Sequence, residues 1–135
     1  MLKSGSFFRL RTLLLVDAAT CAIMGGILTL ASGPIADLTA IPPSLLLGAG
    51  LILFPTAAFM VATAGRVREW PWAVWLIIGG NVLWVAASLA LLAGNSIAPN
   101  SLGVGFIAAQ AAAVALLAAL EFAASRRRGS ALAAA

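Results

Sequence analysis

TLLLVDAATCAIMGGILTLA, residues 12–31, decides the fold. Read as a helix at about 1.5 Å of rise per residue, it is long enough to cross about 30 Å of hydrocarbon. A single aspartate, Asp17, interrupts an otherwise apolar run. Three further runs of the same kind follow, so that the spans lie at about 12–31, 43–64, 71–93 and 102–124, each of roughly 20–23 residues. The expected fold is an all-α membrane protein, a four-transmembrane-helix bundle with residues 12–124 as its domain. Residues 1–11 form a basic N-terminal segment, and residues 125–135 a basic, alanine-rich tail whose GSALAAA end is expected to fray.

Composition supports this reading. Of 135 residues, 63% are hydrophobic and only 9% charged, against about 25% charged in soluble domains. Mean hydropathy is +1.10. The net charge of +4 raises the question of nucleic acid, but the basic residues flank apolar spans instead of tracking a phosphate backbone, so no nucleic-acid partner is expected. There is no histidine and one cysteine, Cys21. That argues against most metal sites, histidine-ligated haem and paired-cysteine redox chemistry, and neither cofactor nor metal is expected.

Punctuation and charge set the topology. Gly33-Pro34 closes the first span, Pro42-Pro43 opens the second, and GNSIAPNS, residues 94–101, separates the third from the fourth. Lys3, Arg9 and Arg11 precede the first span, Arg66 and Arg68 join the second to the third, and Arg126, Arg127 and Arg128 follow the fourth. All eight basic residues therefore share one side, while the opposite loops carry Asp37 and no basic residue. By the positive-inside rule, both termini are expected in the cytoplasm of a bacterial inner membrane. The basic N-terminus before an apolar run superficially resembles a signal peptide, but no convincing cleavage site follows, and a retained helix is expected. Trp70, Trp72 and Trp75 cluster where the third span begins, as interfacial anchors do.

The residues open to chemistry are the polar ones inside the spans: Asp17, Asn81, Gln110 and Glu121. Asp17 lies six residues past Arg11, or about 9 Å in, and Glu121 five before Arg126, or about 7–8 Å. Both acids thus belong to one shallow layer. They suit ion pairs with Arg9, Arg11, Arg126 or Arg128 that fix helix ends, which is the expected role, or a cytoplasmic proton or cation vestibule. Asn81 and Gln110 fall nearer the midplane, where amides join helices. Asn81, Trp84 and Ser88 share a face, as do Gln110 and Glu121, and a thin polar column forms if these stripes meet Asp17. Pro55 interrupts the second span and is expected to kink it, with Thr56 or a neighbour serving the freed carbonyl. No Ser, Thr or Cys has a recognisable base, so catalysis is not expected.

The segments LLLVDAATCAIMGG (13–26), LLLGAGLILFP (45–55), GNVLWVAASLALL (80–92) and LGVGFIAAQAAAVALLAALEF (102–122), in that order, resemble a group of small uncharacterised bacterial four-helix integral membrane proteins. The resemblance implies an inner-membrane four-helix bundle and no particular activity. A looser likeness to DoxX-like proteins rests on span number alone. Small multidrug-resistance transporters differ: their acid is a deep glutamate, and their charge bias is weak. The expected function is non-enzymatic: an accessory, partner-binding subunit, or an oligomeric bundle binding lipid or an apolar ligand. The expected partners are the bilayer and a homo-oligomer or larger membrane complex. A small proton- or cation-coupled transporter or channel is the alternative.

Overall fold

The computed structural model describes residues 2–134, with side chains from Gly5 onward. The described residues are all-α, in five helices: α1 Leu2–Leu30, α2 Ser32–Thr39, α3 Pro43–Gly65, α4 Pro71–Ala93 and α5 Ser101–Ala133. Four of them, all but α2, are long and apolar enough to cross a membrane.

Where proline opens a helix, sequence and structure agree: α3 begins at Pro43 and α4 at Pro71, positions at which a missing N–H costs nothing. The outer helices run further than the hydrocarbon requires. α1 is already helical at Leu2, and α5 continues through the arginines and the alanine-rich end to Ala133. The expected frayed tail is therefore helix over its described length. Alanine and arginine are strong helix formers, and only Gly129 weakens the run, so nothing there stops propagation.

α1 does stop at Leu30, before Gly33-Pro34. The chain then resumes at once as α2, in which Pro34 is the third residue and still lies in the unbonded first turn. α2 closes through Ala40, whose φ of 54° is left-handed, a conformation usually left to glycine.

α1 packs along α3 and also against α5, α5 packs along α4, and α3 and α4 barely touch although they follow one another in sequence. The α1–α3 seam is close because two glycines meet. A Cβ at Gly50 would lie 2.7 Å from Thr29 Oγ1 and 3.0 Å from the Gly25 carbonyl, and one at Gly25 only 3.1 Å from the Gly50 carbonyl. Packing of this kind replaces the hydrophobic drive that is missing between helices in lipid.

The two ends are tied differently. At one end Phe7 is flanked by two guanidiniums, with Arg68 Cζ 4.6 Å and Arg128 Cζ 5.0 Å from its ring centre. Arg128 also donates to the Val67 carbonyl at 2.7 Å. At the other, Asn100 caps α5 by accepting from Gly103 N at 3.0 Å, donates through Nδ2 to the Leu38 carbonyl at 2.8 Å, and bonds through its backbone N–H to the Thr39 carbonyl at 3.1 Å. Gly103 lies directly against that same carbonyl. α5 is thereby locked onto α2.

Candidate functional site

In hydrocarbon every polar group must find a partner within the protein, and most hydroxyls do so inside their own helix. Thr12, Thr20, Thr56, Thr63, Ser88 and Ser125 each donate to the carbonyl four residues back, at 2.8–2.9 Å. Thr56 bonds the Ile52 carbonyl, whereas the carbonyl that Pro55 leaves without its donor is that of Leu51. α3 runs unbroken through Pro55.

Two groups of side chains depart from this rule and bond across helices. In the first, Asn81 Nδ2 on α4 donates to Asp17 Oδ2 on α1 at 2.7 Å and to Glu121 Oε2 on α5 at 3.3 Å. The two acceptor oxygens meet the same nitrogen, so a single amide bridges two carboxyl groups from different helices. Cys21 Sγ, one turn along α1, lies 3.7 Å from Asp17 Oδ1. Asp17 is 1% exposed and Glu121 0%, and Glu121 Oε1 has no hydrogen-bond partner. In the second group, Trp84 Nε1 donates to Gln110 Oε1 at 2.8 Å, and Gln110 Nε2 donates to Ser88 Oγ at 3.2 Å. Asn81, Trp84 and Ser88 stand at helical spacing on α4, so the two groups follow one another along a single stripe.

The four interior polar residues thus fall in adjoining layers: Asp17, Asn81 and Glu121 in one, Gln110 in the next. The expected ion pairs are not what the carboxyls make. Arg128 is turned to Val67 and Phe7, Arg126 lies over Phe122 with Cζ 5.7 Å from the ring centre, and Arg9 and Arg11 are exposed. For Glu121 the reason is side-chain direction. Side chains on a helix lean toward its N-terminus. On α5, which runs toward the basic end, Glu121 therefore leans into the bundle. On antiparallel α4, Asn81 leans back toward the basic end, and the two meet between the levels of their Cα atoms. Long arginine side chains extend the other way, to water and aromatic faces. Depth counted along the backbone missed this.

Three of the four tryptophans gather at the basic end. Trp70 carries Arg66 over its ring at 4.6 Å and lies 6.0 Å from Trp72. Trp72 is 6.2 Å from Phe59 and Trp75 5.7 Å from Phe122. The Trp72 and Trp75 rings remain about half exposed, at 57% and 49%.

A cleft opens where α3 and α4 fail to meet. Its main chamber, about 700 Å³, has walls from α3 and α4 and a floor from α1 and α5, and both Asp17 and Asn81 line it. A narrower chamber of about 350 Å³ extends it toward Ser44 and Ile41, sharing Met24, Ile52, Trp84, Ala87 and Gln110 with the first. Ile52 and Pro55 on one lip and Leu76 and Leu83 on the other are exposed. The whole is an apolar trough with a carboxyl and an amide at its floor, in the size range of small-molecule sites. Sequence reasoning found the polar stripe but not the trough, whose walls are ordinary apolar residues. The chain matches no protein-family model, no curated protein and no solved structure, which leaves this site as the guide to function.

Proposed function

We propose that this protein is a non-enzymatic bundle of a bacterial inner membrane, with both termini in the cytoplasm, that takes an elongated, largely apolar ligand from the lipid into the cleft between α3 and α4. The supporting observation is the cleft itself: its two chambers adjoin through shared lining residues, it is open at lips of exposed apolar side chains, and it meets a buried Asp17–Asn81 pair. Packing alone would have closed such a gap, because Gly48 and Gly80 on its walls leave room for helices to approach. The eight basic residues, all on the side of the termini, support the orientation. A role as ligand-carrying subunit of a larger complex or homo-oligomer fits the same geometry.

The test is native mass spectrometry of the protein released from membranes in mild detergent. Wild type is expected to retain a non-covalent apolar adduct, and Ala113→Phe, which fills the chamber, to lose it while keeping its helicity. Wild type free of any adduct would count against the reading.

A second reading, a small proton- or cation-coupled transporter, is favoured by one observation: two buried carboxyl groups share a single amide donor, with Glu121 Oε1 unpartnered. It expects Asp17→Asn to abolish proton- or cation-dependent flux in liposomes without loss of fold.

A further inference from the structure

The polar inventory of the main chamber is one-sided. Its donors are engaged within the protein, apart from one of the two N–H groups on Gln110 Nε2. Asn81 Nδ2 is shared by the two carboxyl groups, Trp84 Nε1 serves Gln110, and Gln110 Nε2 serves Ser88. The Thr20 and Thr56 hydroxyls serve carbonyls of their own helices, and Cys21 faces Asp17. Acceptors are in excess. The Asp17 carboxyl lines the chamber with one strong donor and one weak thiol for about four lone-pair sites, and behind it the fully buried Glu121 meets it at the same amide, where a proton shared between the two carboxyls is the one further donor. Among the described residues, no lysine or arginine lines either chamber. A ligand made only of hydrocarbon would leave these acceptors as they are, and a ligand with an anionic head would add to them.

We propose, building on the ligand-binding reading above, that the occupant is a single-chain amphiphile with a protonated primary amine, its ammonium at Asp17 and its chain along the trough toward Ser44. An ammonium brings three donors and no acceptor, the complement of what the floor presents. Its positive charge offsets the carboxyl pair where no residue of the chamber does. The trough beyond Asp17, past Met24, Ile52 and Ala87, is lined mostly by apolar side chains, with Gln110, Ser88 and Ser44 among them, and suits an alkyl chain.

The experiment uses the full chain in nanodiscs of zwitterionic lipid and three probes of equal chain length, dodecylammonium, dodecanol and dodecanoate, each corrected for partition into empty nanodiscs. Dodecylammonium is expected to bind at least about tenfold more tightly than dodecanol, and dodecanoate most weakly. Asp17→Asn should abolish the preference for the amine over dodecanol. Gly80→Lys, at a position on the chamber wall where a Cβ meets nothing within 4 Å, supplies a tethered ammonium and should suppress dodecylammonium by about tenfold while sparing dodecanol. It decides the matter if Asp17→Asn does not fold. Equal binding of the three probes, or an amine preference that survives in the folded variants, overturns the head-group assignment and leaves the cleft reading standing. Binding of no probe above the empty-nanodisc level overturns both.

Discussion

α3 has two flanks, and they are built in opposite ways. Against α1 it is sealed: Gly25 and Gly50 bring the backbones so close that neither tolerates an added methyl without displacement. Against α4, its neighbour in sequence, it stands off, and the cleft fills the difference. The contrast does not follow from a shortage of small residues, since Gly48 on α3 and Gly79 and Gly80 on α4 have open space around them. It follows from what lies beneath. The α1–α3 seam is set by backbone contact at Gly25 and Gly50. The α3–α4 gap sits over a floor where Asp17, Asn81 and Gln110 hold α1, α4 and α5 together through their side chains. Those bonds place α4 by its attachment to α1 and α5, and α3 is left as the wall that need not close.

The comparison can be broken most forcefully at the sealed seam. Gly50→Val should destabilise the protein by about 2–3 kcal/mol, because its added carbons meet Thr29, Leu28 and the Gly25 carbonyl. Gly48→Val, two residues away and facing open space, should leave stability nearly unchanged; reversible unfolding in mixed detergent micelles reads the difference. If both variants lose the same amount, the two flanks of α3 are not distinct. Next in size is Asn81→Leu, which removes the one donor shared by two buried carboxyls and should cost about 1–3 kcal/mol by the same measurement. The smallest effect belongs to the far end. Ala40→Gly should stabilise by about 0.5–1 kcal/mol, since its φ of 54° suits glycine, and a loss of stability there would mean that the Ala40 methyl contributes packing.

Much of this architecture is written in single residues. Pro43 and Pro71 open helices at the positions where a proline belongs, and the distribution of basic residues puts both termini and the 66–70 loop at one end, where Phe7, Val67 and Arg128 meet in space. The stripe Asn81, Trp84, Ser88 was legible from spacing, as was the common face of Gln110 and Glu121. The partner of Asp17 was not. A count of residues from Arg11 gives the height of a Cα atom along α1, whereas Asn81 becomes the partner of Asp17 only through the placing of α4 beside α1, which no spacing within either helix records. Asn100 was hidden for another reason: GNSIAPNS reads as a generic turn, and only the fold brings Leu38 and Thr39, some sixty residues earlier, within reach of its side chain and N–H. The cleft is a property of which helices fail to touch, and no residue type announces it.

Gly48 and Gly80 give the cleft an adaptive character. Both line its walls, both sit within continuous helix, and a Cβ at either meets nothing within 4 Å. A single codon change at either position can therefore reshape the chamber in a graded way, from alanine through valine to phenylalanine, without asking the backbone to move. The α1–α3 seam offers no such freedom, because a side chain added at Gly25 or Gly50 crowds the facing helix. One half of the molecule is under strict steric constraint and the other is open to drift, so ligand preference can evolve in this bundle while the fold stays the same.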